Sequence, residues 1–302
     1  MKLSVVVPCY NEAVNVSEFE SELSKALLKE KITYEIIFID DGSTDDTYSK
    51  LSSLNKANKN VKVIRFSRNF GKESAMLAGL KNASGSYVAI MDADLQHTPE
   101  MLILMYKKLI NDDSFDCCCA YKSNREDEGS LKRTLTSLFY KINNKISDVK
   151  LLPGASDFRV FKKSVCDAIT SLDEKTRFLK GMFSWVGFNT IYVPYMPEKR
   201  MYGTSKWSLF KLLKYSLGGI ISFSTKPIKS VFIIGVVALI VGLLNFILMG
   251  NLANRTIILF ISFIMLQLGI ISLYVSRIYS NILNRPCYII KEKLGFNDKS
   301  SK

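Results

Sequence analysis

Two stretches of this chain, residues 231–250 and 256–276, contain no Asp, Glu, Lys or Arg. As a helix, each is about long enough to cross a hydrocarbon layer of ~30 Å. Uncharged runs of that length are rare in soluble cores, so two buried core helices are the lesser reading. Residues 1–225 carry charges throughout. The 302 residues therefore divide into one sizeable soluble domain and a membrane-associated appendage.

The charge supports that division. The net charge is +13, from 41 Lys+Arg against 28 Asp+Glu, which in isolation would suit a nucleic-acid binder. The basic residues cluster elsewhere, however. Lys206, Lys211, Lys214, Lys226 and Lys229 precede the first apolar run, and Arg277, Arg285, Lys291 and Lys293 follow the second. By the positive-inside rule the large domain and both termini are cytoplasmic, on a multi-pass protein of the cell (inner) membrane. The excess charge then faces anionic headgroups, and no nucleic-acid partner is expected. Residues 3–7 are apolar but too short for a secretory signal. Six cysteines show no paired metal-ligand spacing. Cys117, Cys118 and Cys119 read as small buried strand residues in a reducing compartment.

Along residues 1–121, short apolar runs at 3–7, 35–39, 61–66, 87–91 and 115–121 alternate with helical patterns at 16–28, 44–54, 72–80 and 99–109. This alternation predicts a mainly parallel sheet with helices on both faces. Ligands on such sheets bind beyond the carboxyl ends of the strands. The polar motifs stand at those ends: Pro8-Cys9-Tyr10-Asn11-Glu12, Asp40-Asp41-Gly42-Ser43 and Asp92-Ala93-Asp94-Leu95-Gln96. Further on, 130–146 and 206–223 read as basic amphipathic helices suited to a membrane interface, with ordinary packing on the domain equally open for the first. The polar tail from Lys291 onward reads as disordered.

Each motif suggests chemistry. Asp92 and Asp94 can approach one divalent cation, a hard ion that takes carboxylate oxygens and bridges to phosphates. Asp40 and Asp41 can accept hydrogen bonds from ribose hydroxyls or a base N–H, while Ser43 or Thr44 starts the next helix. Pro8, Tyr10 and Glu12 can form one wall for a nucleobase. His97, the only histidine, falls in the loop before the helix that Thr98-Pro99 opens, outside the catalytic set. Gly71-Lys72 lacks the rest of the GxxxxGK phosphate-loop pattern, so no ATP-binding loop is expected.

With Ser156-Asp157-Phe158-Arg159 and Lys199-Arg200-Met201-Tyr202-Gly203-Thr204-Ser205-Lys206 added, the motifs together resemble the family 2 glycosyltransferases. They are most similar to the polyprenyl-phosphate branch of bactoprenol glucosyltransferases and dolichol-phosphate mannose synthases. The resemblance covers essentially the whole chain. It implies a GT-A (Rossmann-like) α/β catalytic domain over 1–205, a juxtamembrane amphipathic helix over 206–227, two transmembrane helices over 228–280 and a cytoplasmic tail over 281–302. It implies that Pro8, Tyr10, Glu12, Asp40, Asp41, Asp92 and Gln96 bind the nucleotide-sugar. Asp92, Asp94 and Gln96 would organise Mg²⁺ or Mn²⁺. The expected catalytic set is Asp94, Asp157, Arg159, Arg125 and Lys122. Contacts to the lipid phosphate are expected from Lys122, Arg125, Arg159, Arg200 and Lys206. Lys122 departs from the family's usual Arg, and Lys offers no bidentate fork. Asp157 either orients an arginine or the acceptor, or forms a structural ion pair.

The implied reaction is transfer of one hexose, glucose from UDP-glucose by preference, to undecaprenyl phosphate with inversion. GDP-mannose, UDP-N-acetylglucosamine and UDP-aminoarabinose remain open as donors. A homotetramer and a small flippase partner are further implications of the resemblance. A processive synthase is disfavoured because the chain has no Gln-x-x-Arg-Trp. A non-catalytic scaffold is disfavoured because the acidic motifs are intact.

Overall fold

A computed structural model describes residues 2–122, 130–175, 177–196, 218–219, 221–248 and 253–296. The elements run β1 (Lys2–Cys9), α1 (Val16–Lys29), β2 (Thr33–Asp40), α2 (Thr47–Ala57), β3 (Val61–Phe66), α3 (Lys72–Asn82), β4 (Tyr87–Ile90), α4 (Pro99–Asn111) and β5 (Cys117–Lys122). They continue with α5 (Ser130–Ile146), β6 (Ala155–Lys162), α6 (Lys163–Ser171), α7 (Leu179–Trp185) and β7 (Thr190–Tyr195). Two long helices follow, α8 (Lys226–Leu248) and α9 (Ala253–Ile282), and then strand β8 (Ile290–Leu294).

The eight strands form one sheet in the order β7-β5-β6-β4-β1-β2-β3-β8. The expected mainly parallel sheet is in fact mixed. β3, β2, β1 and β4 are parallel neighbours, but β6 is antiparallel and lies between β4 and β5. β5 still runs in the direction of β1–β4, so its carboxyl end reaches the same edge. β6, running the other way, starts at that edge.

The apolar runs are buried on both faces, as parallel strands covered by helices require. Leu3, Val5 and Val7 pack with Phe19, Leu23 and Leu27 of α1 and with Leu102 and Met105 of α4. Val6, Ile37 and Ile39 face the other way, onto Ala75 and Met76 of α3 and onto α6 and α7. This strict two-residue alternation forms two core layers from single strands. Cys117, Cys118 and Cys119 are all buried and free, as expected. Thr98 caps α4, accepting from the Met101 N–H at 3.3 Å, with Pro99 in the first turn. α2, in contrast, begins at Thr47 rather than at Ser43 or Thr44. Ser43 Oγ instead accepts from the Asn11 N–H at 3.0 Å.

The tail is the largest correction. Residues 290–294 do not dangle; β8 pairs antiparallel with β3, Val63 opposite Leu294 and Phe66 opposite Ile290. Polar composition hid a strand whose ends, Ile290 and Leu294, are half-buried while Lys291, Glu292 and Lys293 between them are exposed, as a sheet edge allows.

α8 and α9 pack antiparallel: Gln267 donates to the Val231 carbonyl at 3.3 Å and the Tyr274 hydroxyl to the Ser224 carbonyl at 2.8 Å. In α9, residues Phe263–Ile282 form a segment long and apolar enough to cross a membrane, none of it buried. α8 also exposes large apolar side chains, among them Phe232, Ile233, Val237 and Leu244. The predicted helix at 206–223 lies largely outside the described residues, as do the link between α8 and α9 and most of 194–205.

Candidate active site

The carboxyl ends of β1, β2, β3 and β4 and the amino end of β6 meet at one sheet edge. Chain direction decides this before any side chain is considered. At the end of β1, Asn11 takes the left-handed conformation (φ 54°) and turns the chain away from the sheet. Its side-chain oxygen accepts from the Thr44 N–H at 2.9 Å, and the Glu12 N–H donates to Thr47 Oγ1 at 2.8 Å. The β1 and β2 motifs are thus tied to each other. Pro8 and Glu12 are half-buried and Tyr10 is exposed, leaving its ring accessible beside this turn.

Asp40 and Asp41 are both buried. Asp40 accepts from the Ser43 N–H at 2.9 Å and lies 3.6 Å from Arg65. Asp41 reaches across to the loop after β3, accepting from the Phe70 N–H at 2.6 Å and the Gly71 N–H at 2.9 Å. Burial, reinforced by neighbouring Asp40, pushes its carboxyl up to about 6 against the pull of those two amides. Gly42 (φ +66°) lies directly under the same loop: a Cβ there would come within 2.4 Å of the Arg68 carbonyl carbon.

This clamped loop delivers Lys72, the first residue of α3, into the site. Lys72 Nζ lies 2.7 Å from Asp92 and 3.1 Å from Asp157. Lys180 approaches Asp157 from the other side at 4.0 Å. Burial by itself would raise Asp157, but Lys72, Lys180 and Arg159 hold it well below the usual carboxylate range. Burial likewise opposes the Lys72 charge, yet Asp92 and Asp157 keep it firmly protonated.

Asp94 and Gln96 are half-buried on the following turn, where the Gln96 N–H donates to Asp94 at 3.2 Å. Leu95 between them has φ 57°, an uncommon value for an apolar L-residue. His97 is buried, stacked on Phe158 at 4.5 Å, with Nε2 3.1 Å from the Tyr195 hydroxyl. Burial lowers its pKa, which keeps it neutral. It joins the Asp92–Gln96 turn to the ends of β6 and β7 and packs there as a core residue.

Arg159 is 5% exposed; its Nε donates to the Ser156 carbonyl at 3.2 Å and its guanidinium lies 4.4 Å from the Phe183 ring centre. It stands behind Asp157 rather than at the open edge. Lys122 ends β5 opposite Tyr195, half-buried. Arg125, Arg200 and Lys206 lie outside the described residues.

Asp92, Asp94 and the Gln96 side-chain oxygen are a hard-oxygen set, the right chemistry for Mg²⁺ or Mn²⁺. Among the described residues no three His, Cys, Asp or Glu side chains cluster as a self-sufficient metal cage. The set fits an ion that takes its remaining oxygens from a bound diphosphate. The Lys72 ammonium bridges Asp92 and Asp157, so one cation already sits among these carboxylates.

Lys72 is the residue of this candidate site that no motif in the sequence marks. On its own, Gly71-Lys72 suggests no more than an incomplete ATP-binding loop. The usable clue was positional: a lysine opening a helix after a parallel strand must lie at the same edge as the acidic motifs.

Residues 4–170 match the family model described as Glycosyl transferase family 2. The chain is 37% identical over 303 residues to the putative glycosyltransferase CsbB of Bacillus subtilis (strain 168), covering 96% of this chain and 91% of that one. It is 36% identical over 305 residues to the bactoprenol glucosyl transferase of Shigella phage SfII, covering 97% and 98%. Among solved structures, a glucosyl-3-phosphoglycerate synthase from Mycobacterium tuberculosis, in complex with Mn²⁺, UDP-glucose and phosphoglyceric acid, matches with a TM-score of 0.51. Its identity is 18%, covering 73% of this chain and 77% of that one, a likeness of fold.

Proposed function

Because the chain belongs to glycosyl transferase family 2, we propose that it transfers one hexose, glucose from UDP-glucose, to undecaprenyl phosphate at the cytoplasmic face of the membrane. The observation that carries this reading is the meeting of Asp41, Lys72, Asp92, Asp94 and Asp157 at one sheet edge of a chain that also carries an exposed apolar helix. Near-full-length similarity to bactoprenol glucosyl transferases supports the lipid acceptor and the glucosyl donor. The alternative donors are GDP-mannose and the UDP-amino sugars.

In this reading the Pro8, Tyr10 and Glu12 wall receives the base, and Asp40 and Asp41 stand by the nucleoside. Asp92, Asp94 and Gln96 would hold Mg²⁺ or Mn²⁺, which supplies charge neutralisation at the departing diphosphate. Lys72 adds a fixed cation at the same place. The acceptor is a phosphate monoester, already anionic near neutral pH, so it needs no strong general base. A phosphate oxygen forms the new bond to the anomeric carbon as the bond to the nucleoside diphosphate breaks, with inversion. Lys122, Arg125, Arg200 and Lys206 attract the lipid phosphate, while Arg159 and Lys180 keep Asp157 ionised. Positioning and charge stabilisation then account for catalysis.

α8 is read as a second membrane span beside α9. Both ends of the helical pair are held by the catalytic domain, since β8 returns to β3 and residues 145–148 bond to 223–226. Such a return supports an even number of crossings.

The test is transfer into the lipid phase by full-length protein in bilayers, with undecaprenyl phosphate, Mg²⁺ or Mn²⁺ and a panel of labelled nucleotide-sugars. Label should pass from UDP-glucose and be lost in Asp94→Ala. Absence of transfer from every donor by a folded, nucleotide-binding protein would contradict the proposal.

A further inference from the structure

We infer that the segment following the membrane helices is a working part of the donor site, with Tyr288 as a positioning residue for the loop that carries Asp41's partners and Lys72. The inference rests on the donor site proposed above.

Two anchors fix that loop. The first comes from β2, through the Asp41 bonds to Phe70 and Gly71 and the close approach of Gly42. The second comes from the tail. The Tyr288 ring stacks on Phe66 with centroids 5.0 Å apart and planes at 9°, and Phe66 meets Phe70 edge-on at 5.8 Å. The Ser67 N–H donates to the Ile289 carbonyl at 3.0 Å. A register irregularity lies between Arg65 and Phe66, at the point where β3 turns into the loop. Such bulges re-aim the chain that follows.

Capping the open edge of β3 does not require Tyr288. The register from Val63–Leu294 to Phe66–Ile290 does that, helped by Phe296, whose ring sits 5.0 Å from Lys62 Nζ and 5.4 Å from Lys293 Nζ. Tyr288 and Ile289 precede the strand and contact the residues that lead into the loop. Just upstream, Cys287 lies against the Glu174 and Lys175 carbonyls, and the Lys175 N–H donates to Asn281 at 3.4 Å. The exit of α9 is therefore tied to the catalytic domain at its surface and at the donor loop, over a few residues of chain.

The test compares full-length wild type, Tyr288→Ala and Tyr288→Phe, with Tyr288→Leu as the bulk-preserving variant where Ala does not fold. Hydrogen exchange over residues 67–72 is read first. It should quicken in the Ala or Leu variant and return to the wild-type rate in Phe, which keeps the ring. Kinetics with UDP-glucose and undecaprenyl phosphate are read second. The KM for the donor should rise about tenfold, as loop misplacement predicts, with the KM for the lipid unchanged and Phe again restoring the wild-type value. Unchanged exchange in the loop overturns the inference, and so does an equal rise in both KM values without rescue by Phe. A wild type that binds no nucleotide-sugar removes the donor-site reading and the inference's functional half with it. The exchange result still decides whether the tail holds the loop.

Discussion

Lys72 is the residue on which the site's electrostatics turn. Its ammonium lies between Asp92 and Asp157. Lys72→Ala should lower turnover about 100-fold while nucleotide binding is largely kept, since a preorganised cation acts most on charge that develops in the transition state. Lys72→Arg should recover part of the loss. Steady-state kinetics on the three proteins check this, and turnover of Lys72→Ala within about twofold of wild type contradicts the role. Asp41 makes a different prediction. Its carboxyl is raised from 3.8 to about 6 in the folded protein. The stability it contributes is therefore full below 3.8 and is lost as pH rises through about 6. Between melts at about pH 4 and about pH 7, the Tm of Asp41→Asn relative to wild type should move in the variant's favour. A pH-independent difference contradicts the shift. The acidic residues were legible because strand ends in a parallel sheet must converge. Lys72 and the precise partners of Asp41 were not, because they depend on how one loop lies across another.

At the scale of elements, the loop after β3 lies against a glycine where any side chain would be strained. Gly42 combines a positive φ with backbone of Arg68 where a Cβ would stand. Gly42→Ala should cost about 2–3 kcal/mol of stability and displace the donor loop, a combined strain and overpacking effect. Chemical denaturation together with donor KM measures both, and an unchanged KM contradicts the placement. α5 offers a second case. Its predicted bounds, 130–146, agree with the structure, and Leu138 and Ile142 are exposed on it. Its end is bonded to the entry of α8, where Lys226 Nζ donates to the Lys145 carbonyl at 3.1 Å. That tie sets α5 beside the start of the helical pair. In full-length protein in anionic bilayers, Leu138→Glu with Ile142→Glu should quicken hydrogen exchange over α5 and leave nucleotide affinity unchanged; unchanged exchange contradicts an interfacial α5. Helix periodicity made α5 visible in the sequence. β6 was harder to place, since its pattern does not reveal that it enters the sheet antiparallel, between β4 and β5.

The whole molecule is organised by a return. The chain leaves the domain of the sheet through α8, comes back through α9 and then adds strand β8 to the same sheet. Composition alone predicts a loose tail, because this edge strand is charged and exposed between two half-buried ends. With two spans, a cysteine at Asn251 should react with a membrane-impermeant maleimide only from outside the cell, and one at Leu283 only from inside. Labelling of both from one side contradicts the paired crossing. The central claim, however, is chemical: sugar moves and phosphate does not. The measurement that tests it most directly is the mass of the lipid formed from undecaprenyl phosphate and UDP-glucose by the purified full-length enzyme. The account predicts undecaprenyl phosphate bearing one hexose, with a single phosphate retained and none formed by Asp94→Ala. A lipid diphosphate-sugar, or a lipid carrying a chain of hexoses, would contradict it.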